Sequence, residues 1–309
     1  MSDRAARRFD VRARDRTLAL GERPWLMGIV NATPDSFSDA GQHRTLDARV
    51  ALARELLAAG ADVIDIGGES GVTNRPPVSA EEEIERVVPL IERVAGELGA
   101  VVSVDTYKPP VAMAAIAAGA CIVNDVSGLR DPALADVCAQ TGAALVLMHT
   151  RAAPKQKLLD PGYDGRMTED VVGFLRERME LARSRGVADE QLILDPGPDF
   201  GKTPAQTVEV LRRLDEVHAL GRPVLLALSR KDFIGAITGR PPRERSAGTL
   251  AALAWGIETG GHVFRLHDIA AAADFIAVHD VLAGRRELGA DVRLAVDLRR
   301  ESQETGPAS

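Results

Sequence analysis

The sequence predicts an α/β fold, a single (β/α)8 TIM barrel, and three observations support that prediction. Eight short apolar runs alternate with amphipathic helical segments along the 309 residues. The runs are continuously apolar, which is typical of parallel strands buried on both faces. No Pro/Gly-rich linker interrupts the series, so the alternation belongs to one domain. Because eight strand–helix units fit this length, a closed barrel is favoured over the alternative, an open doubly wound sheet.

The eight apolar runs mark the expected strands. Between the first two runs, Leu46, Val50, Ala53 and Leu57 recur at helical spacing and predict an amphipathic helix. The expected strands are Trp25–Val30, Val63–Ile66, Val101–Val104, Cys121–Val123, Ala144–Met148, Leu192–Leu194, Pro223–Leu228 and Val263–Leu266.

Both chain ends are expected to lie outside the barrel, which we assign to residues 21–298. Residues 1–20 are an N-terminal extension. Within it, Ser2 to Arg16 mixes Arg and Asp without periodicity, so this stretch is expected to be either a mobile arm or a short hairpin. Residues 299–309 are expected to form a disordered C-terminal tail.

Composition disfavours several classes of function. The net charge is −7 and the basic residues form no stripe, so nucleic acid is not an expected partner. The two cysteines, Cys121 and Cys138, show no CxxC or Cys/His spacing, which disfavours a zinc site or a disulfide framework. No apolar run of about 18 residues and no apolar signal core occur, so a membrane location is not expected. These features together favour the cytoplasm.

Polar residues follow every expected strand. A single residue of this kind would often be a helix N-cap. Because the ends of all eight strands meet at one rim of a barrel, the whole set predicts an active site there. Carboxylates and cations together suit a ligand with an amidine-like edge and an anionic tail. The set is Asn31, Gly67–Ser70, Asp105, Asn124–Asp125, His149, Asp195, Ser229–Lys231 and Arg265–Asp268.

Nine short motifs lie at or beside these strand ends, in the order of the strands. They are MGIVNATPDSFSDAG, GADVIDIGGES, VSVDTYKP, IVNDVSG, LMHTR, LDPGPDFGKTP, LALSRKDFIG, RPPRERSAGTLAA and FRLHD. Any one of them is a weak or moderate signal, but together, from Trp25 to Leu282, the chain resembles the dihydropteroate synthase family. The resemblance implies a barrel-shaped transferase of folate biosynthesis. Its reaction joins p-aminobenzoate to 6-hydroxymethyl-7,8-dihydropterin diphosphate and releases diphosphate.

The resemblance implies which residues bind the pterin. Asp105 and Asp195 would accept hydrogen bonds from the N–H groups of its amide and amidine edge, and Asn124 would donate and accept beside them. Lys231 would donate to the ring oxygen and nitrogen. Arg265 would lie flat on the ring while its guanidinium reaches a phosphate. Lys231 and Arg265 are therefore expected to take part in catalysis.

The resemblance also implies a diphosphate site and a closing loop. Asn31 would contact Mg²⁺, and His267 would contact the phosphates together with Arg265. In the first loop, Asp35 would stabilise the positive charge that develops as diphosphate leaves, and Phe37 would help to enclose p-aminobenzoate. The arylamine is neutral at pH 7, so no strong general base is required.

Departures from the family pattern affect the outer part of the site. The second loop carries extra residues, so that Arg75 takes the place of the phosphate-binding arginine and Thr73 is a candidate for the family threonine. Asp199 adds a carboxylate near the pterin rim, beside Phe200. Phe200 and Leu266 are also expected to contact substrate.

Asp232 is the departure with the largest expected consequence. The family usually has serine here, close to the carboxylate of p-aminobenzoate. Two like charges about 5 Å apart cost roughly 3 kcal/mol at an effective dielectric constant of 20. Unless Asp232 points away, we therefore expect p-aminobenzoate to bind about a hundredfold more weakly.

Other functions remain open at this point. One is a paralogue that keeps the pterin pocket but uses the second substrate weakly or uses another nucleophile. Another is a pterin-dependent methyltransferase domain, although such a domain should lack the diphosphate site. A third is a non-catalytic binding or assembly protein, which would have no need of the cations Lys231, Arg265 and His267. The family resemblance also implies a homodimer.

Overall fold

The computed structural model describes residues 7–33, 45–69, 76–156, 162, 165–295 and 298. The chain divides into two compact units, Met1–Ala273 and Asp274–Ser309. The first unit contains the strands and most of the helices described below. The domain boundaries expected at residues 20 and 298 stay a prediction. No helix in the described ranges is both long and apolar enough to cross a lipid bilayer.

An N-terminal hairpin precedes the barrel. Strands β1 (Phe9–Ala13) and β2 (Arg16–Leu20) pair in antiparallel register. Alternate residues such as Val11 and Leu18 are buried and join a cluster that includes the barrel residues Met27, Val63 and Ile193. For residues 7–16 of this stretch the hairpin alternative is therefore confirmed and the mobile arm is wrong, whereas residues 2–6 lie outside the described ranges. The reason is that alternation along each strand supplies one apolar face, and that face is buried in the barrel core.

Eight parallel strands form the barrel. The sheet order is β8-β7-β6-β5-β4-β3-β10-β9, and a bridge between Leu194 and Val224 joins its two ends. The predicted barrel is confirmed, although the expected run Pro223–Leu228 contributes only a two-residue strand. The strands are β3 (Trp25–Asn31), β4 (Val63–Gly67), β5 (Val101–Asp105), β6 (Ile122–Asp125), β7 (Ala144–Met148), β8 (Leu192–Asp195), β9 (Leu225–Leu226) and β10 (Val263–Leu266).

Helices separate the strands. The hydroxyl groups of Thr45, Ser79 and Thr203 cap three of them by accepting a backbone N–H from the first turn. Gly142, at φ +75°, ends another helix in the left-handed conformation that glycine adopts without strain. The helices are α1 (Leu46–Ala58), α2 (Ala80–Leu98), α3 (Pro109–Ala117), α4 (Ala133–Thr141), α5 (Met167–Ser184), α6 (Pro204–Arg212), α7 (Leu214–His218), α8 (Asp232–Thr238), α9 (Ser246–Glu258) and α10 (Ile269–Leu282).

Candidate active site

Strand register aligns four of the predicted strand-end positions in one row. Asn31 pairs with Gly67, Gly67 with Asp105, and Asp105 with Asn124 across four adjacent strands. That row continues to Val146 and Ile193, and Asp195 lies two residues further along its strand, opposite Met148. The ring of polar strand ends expected from the sequence is therefore a feature of the fold, because parallel strands in register end at the same rim.

A partly buried charge network lies at this rim. Nε of Arg265 donates to Oδ2 of Asp65 at 2.6 Å, and Nη2 donates to Oδ2 of Asp105 at 2.8 Å. Nδ2 of Asn124 also donates to Oδ2 of Asp65, at 3.2 Å. Two carboxylates thus fix the orientation of the Arg265 guanidinium plane. Its remaining N–H groups are therefore held in one direction, as recognition of a ligand requires.

Asp65 is a site residue that the sequence analysis missed. It is fully buried on β4, and its Oδ1 has no hydrogen-bond partner among the described residues. A signal was available, because Asp65 is the single charged residue inside the apolar run of β4. Burying a carboxylate is costly unless it is paired, so its presence there indicates a specific partner.

Burial changes the protonation of the two carboxylates expected to bind the pterin. It raises the pKa of Asp105 to about 7, while the positive charge of Arg265 acts in the opposite direction. It also raises the pKa of Asp195 to about 6, although the N–H of Gly197, which donates to Oδ1 at 2.7 Å, acts to lower it. Both groups are therefore poised to accept N–H donors near neutral pH, and a cationic ligand edge would favour their charged forms.

Lys231 lies between β9 and α8, and burial lowers the pKa of its ammonium group. Its Nζ is 4.3 Å from the centroid of the Phe200 ring, a cation–π contact. Phe200 therefore holds the side chain of Lys231 at the rim. Both residues were predicted to contact substrate, and the structure brings them together.

Asp199 serves a different purpose from the one expected. Its Oδ2 accepts the backbone N–H groups of Asp232 and Phe233, and its Oδ1 accepts the hydroxyl of Thr207. Both carboxylate oxygens are thus used by the protein to hold the first turn of α8. Since that turn follows Lys231 directly, Asp199 links the loop after β8 to the position of Lys231.

The charge of Asp232 is balanced within the protein. Its carboxylate is 83% exposed, and Oδ1 accepts a hydrogen bond of 2.9 Å from Nη1 of Arg245. The repulsion expected from the sequence assumed an uncompensated charge facing the second substrate. In this structure Arg245, 13 residues along the chain, pairs with that charge, and the expected weakening of p-aminobenzoate binding stays a prediction.

A second buried network, also missed from the sequence, supports the loop after β8. Nζ of Lys202 is 2.7 Å from Nδ1 of His149, and it donates to the carbonyl oxygens of Gly197 and Phe200 at 2.9 and 3.2 Å. Nε2 of His149 is 3.0 Å from Oδ2 of Asp170. This pairing assigns the Nε2–H tautomer to His149, with Nδ1 as the acceptor for Lys202.

Burial explains the titration of this network. It lowers the pKa of Lys202 to about 7 and, with the nearby charge of Lys202, lowers that of His149 to about 4. His149 is therefore neutral near pH 7. The three N–H donors of a charged Lys202 match the three acceptors around it, which fixes the loop that carries Phe200.

The remaining predicted residues of the last strand lie at the same rim. Nδ1 of His267 is 2.9 Å from Oγ of Ser229, at the ends of neighbouring strands. Leu266 is buried, and because side chains alternate along a strand, it faces away from the side on which Arg265 lies. Only the backbone of Leu266 can therefore reach a ligand inside the barrel.

Glu69 anchors the start of the second loop. Its carboxylate accepts from Lys108 at 2.5 Å and from the hydroxyl of Tyr107 at 3.1 Å, and it pairs with Lys155 at 3.2 Å. Burial acts to raise the pKa of Glu69, but these cations outweigh it, so the pKa is lowered. The second loop thus begins at a carboxylate that is ionised and held in place.

Four predicted residues lie outside the described ranges. They are Asp35 and Phe37 of the first loop, and Thr73 and Arg75 of the second. Within the described part of the chain, no group of three or more His, Cys, Asp or Glu side chains could hold a metal ion. Asn31, the expected metal contact, lies at the end of β3.

Comparison with known proteins agrees with this geometry. The family model described as "Pterin binding enzyme" matches residues 27–267. Dihydropteroate synthase from Bacillus subtilis is 42% identical over 269 residues, covering 87% of this chain and 92% of that protein. The Escherichia coli dihydropteroate synthase is 38% identical over 264 residues, covering 85% of this chain and 93% of that protein.

Solved structures give the same result. A Xanthomonas albilineans dihydropteroate synthase with 4-aminobenzoic acid has a TM-score of 0.79 and 41% identity, covering 90% of this chain and 98% of that one. A Burkholderia cenocepacia dihydropteroate synthase complexed with 7,8-dihydropteroate has a TM-score of 0.80 and 36% identity, covering 90% and 97%. At this identity and coverage, the chain belongs to the pterin-binding enzyme family and, within it, to the dihydropteroate synthases.

Proposed function

We propose that this chain is a dihydropteroate synthase, a transferase of folate biosynthesis. It condenses 6-hydroxymethyl-7,8-dihydropterin diphosphate with p-aminobenzoate, giving 7,8-dihydropteroate and diphosphate. The observation that supports this most directly is the oriented guanidinium of Arg265, held by Asp65 and Asp105 at the strand rim. Asp195 is buried and Lys231 half-buried at the same rim, so donors and acceptors for a pterin ring are present together.

The chemistry follows from these charges. As the bond between the exocyclic carbon and the diphosphate oxygen breaks, positive charge develops on that carbon and spreads into the pterin ring. Asp105 and Asp195, fixed by burial and hydrogen bonds, stabilise this charge without reorganisation. The amine nitrogen of p-aminobenzoate then attacks the carbon with its lone pair and loses one proton. Arg265 and His267 are placed to hold the phosphates.

Asn31 would hold Mg²⁺ against the diphosphate. The donor set fits this ion, because an amide oxygen is a hard ligand, and magnesium sites commonly combine one or two protein ligands with substrate phosphates. When bound, the ion would neutralise charge on the departing diphosphate. In isothermal titration with substrate present, Asn31→Ala should weaken Mg²⁺ binding, and unchanged affinity would remove Asn31 from the metal site.

The loop residues complete the proposal. Asp35 is assigned to stabilise the developing carbocation and Phe37 to enclose p-aminobenzoate. Thr73 and Arg75 of the second loop are assigned to the substrates and phosphate. These assignments depend on the family resemblance alone, and alanine substitutions at the four positions test them.

The deciding experiment measures both products. The purified chain, given the pterin diphosphate and p-aminobenzoate, should form dihydropteroate and diphosphate in equal amounts. Asp195→Ala should abolish turnover, whereas Asp189→Ala, at a half-exposed position before β8, should not. Diphosphate release without p-aminobenzoate would instead indicate a different nucleophile. Preferential binding of methyltetrahydrofolate would indicate a methyltransferase.

Cellular growth supplies a second test. Expression in cells that lack this activity should restore growth without folate end products. The paralogue alternative was motivated mainly by Asp232 and the altered second loop. Pairing of Asp232 with Arg245 weakens the first of these reasons.

Two further properties are proposed with the function. A cytoplasmic location agrees with Cys121 and Cys138, which are both free thiols in buried positions. A homodimer is proposed from the family resemblance. Light scattering coupled to gel filtration tests it, and a monomeric mass at micromolar concentration would refute it.

A further inference from the structure

A second cavity lies outside the site described above, and we call it the arginine pocket. It has a volume of about 280 Å³ and is bounded by the loops after β6 and β7 and by α5. None of the residues that line it was assigned to a substrate. Its lining residues are Ser127, Gly128, Arg130, Thr150, Arg151, Phe174 and Arg178.

The lining is strongly cationic. Three of its residues are arginines and two carry hydroxyl groups, and no acidic side chain lines it in the described part of the chain. Arg151 is paired with Asp170, which is not one of the lining residues. Arg178 pairs with Glu177, a mostly exposed sequence neighbour 3.3 Å away, and such exposed pairs contribute little. It also interacts electrostatically with the buried carboxylate of Asp125, which does not line the pocket. The pocket therefore keeps an excess of positive charge.

Arg178 presents a buried donor. Its Nε is inaccessible to solvent and has no hydrogen-bond partner among the described residues. Leaving a buried N–H of a charged group without an acceptor costs free energy. A ligand oxygen would satisfy this donor, so the unpaired Nε is independent support for an anionic ligand.

The guanidinium groups are held before any ligand arrives. Arg178 and Arg151 lie over the ring of Phe174, with Cζ atoms 4.9 and 5.4 Å from its centroid. Phe174 is fixed in turn by Gly128, where an added Cβ would lie 2.6 Å from the ring. Nη2 of Arg130 donates to the carbonyl of Arg151 at 3.2 Å, which ties the third arginine to the same wall.

We propose that the arginine pocket binds a phosphate group, as inorganic phosphate or as part of a small phosphorylated metabolite. Three guanidinium groups and the hydroxyl of Ser127 match a tetrahedral, doubly charged anion with several acceptor oxygens. A carboxylate has one charge and two oxygens, and would use fewer of these donors. The cavity volume is sufficient for a phosphate with a small organic substituent.

Arginine Nε–H resonances of the full-length protein provide the test. Inorganic phosphate is titrated at constant ionic strength, with chloride as the balancing anion, and Arg178→Lys identifies the Arg178 signal. We expect that signal to shift saturably with phosphate and to remain unchanged with chloride. The reference is Arg183, on the same helix and paired with Asp189, whose signal should not move.

Variants locate the site. Arg178→Gln and Arg130→Gln, read at the Arg151 signal, should each weaken phosphate binding roughly tenfold or more, as loss of a charge-assisted hydrogen bond predicts. The matched control Arg183→Gln should leave the affinity unchanged. Phosphate binding at Arg265 does not affect this readout, because the signals belong to the arginine pocket.

Three results would overturn the proposal. One is a linear shift without saturation, or an equal shift at Arg183, either of which would indicate general charge screening. Another is unchanged affinity in both glutamine variants. The third is equal affinity for acetate, which would show that the pocket does not select phosphate.

Discussion

Nη1 of Arg245 lies 2.9 Å from Oδ1 of Asp232 and also donates to the carbonyl oxygens of Arg230 and Lys231, at 2.8 and 3.1 Å. The guanidinium lies against Gly235 of α8, where an added Cβ would come within 2.2 Å of Nη2. Arg245 is therefore a positioning residue. It holds the backbone on both sides of Lys231 and balances the charge that follows it.

Asp232→Ser should leave the Michaelis constant for p-aminobenzoate within about twofold of the wild-type value. The carboxylate of Asp232 is mostly exposed, so solvent screens its charge, and it is paired with Arg245. Steady-state kinetics with varied p-aminobenzoate checks this. Uncompensated repulsion would instead make the Michaelis constant of Asp232→Ser up to about a hundredfold lower than that of the wild type. Such a fall would show that the pair between Asp232 and Arg245 breaks when p-aminobenzoate binds.

Arg245→Gln should lower kcat/KM roughly tenfold or more, because two backbone carbonyls beside Lys231 lose a charged donor. Adding Asp232→Ser should recover the Michaelis constant for p-aminobenzoate but not kcat. Full recovery of both would mean that Arg245 acts only by neutralising Asp232. Arg243→Gln, at an exposed position two residues earlier, is the matched control and should behave like wild type.

Asp65→Asn should reduce kcat/KM for the pterin substrate about 10- to 100-fold, because Arg265 loses one of its two charged acceptors. It should also lower the melting temperature, since the buried guanidinium is then only half compensated. The control is Ser103→Ala on the paired position of β5, whose Oγ has no partner among the described residues. If both variants behave alike, the role of Asp65 is only to fill the barrel.

Asp195→Asn should change stability in a pH-dependent way. The folded-state pKa of Asp195, about 6, lies above its ordinary value of 3.8, so its contribution to stability is present at low pH and lost as pH rises through about 6. A pKa shift of that size corresponds to about 3 kcal/mol of unfolding free energy. The asparagine variant should therefore be more stable than wild type at pH 8 and no more stable at pH 3.5, while losing activity. Thermal unfolding of both proteins at pH 8 and pH 3.5 measures this. An equal difference in stability between variant and wild type at the two pH values would contradict the prediction.

Lys202→Met should lower the melting temperature by several degrees and raise the Michaelis constant for the pterin. The substitution leaves the carbonyls of Gly197 and Phe200 without their buried donor, at a cost of about 1–3 kcal/mol each. Lys202→Arg is the informative partner variant, since it keeps the charge but cannot fit the same three acceptors without rearrangement. Wild-type kinetics in both would exclude a positioning role for Lys202.

Much of the fold and part of the site follow from the sequence. Continuous apolar runs identify buried parallel strands, and polar residues placed directly after them identify the rim. Asp105, Asn124 and Asp195 were found in this way because they occupy strand ends, where the signal is local. The N-terminal hairpin was only one of two alternatives, because its apolar face becomes visible only once the barrel core is there to bury it.

The sequence by itself determined the barrel, the family and the strand-end residues, because each depends on local pattern or on motifs in order. Only the tertiary structure decided which charged side chains pair with one another. Asp65 meets Arg265 across 200 residues and Lys202 meets His149 across 53, and no local spacing encodes such pairs. The same holds for Asp232, whose effect on the second substrate depends on whether a cation lies within hydrogen-bond distance. Charge interactions vary steeply with distance and burial, so they are fixed only when the fold brings the groups together.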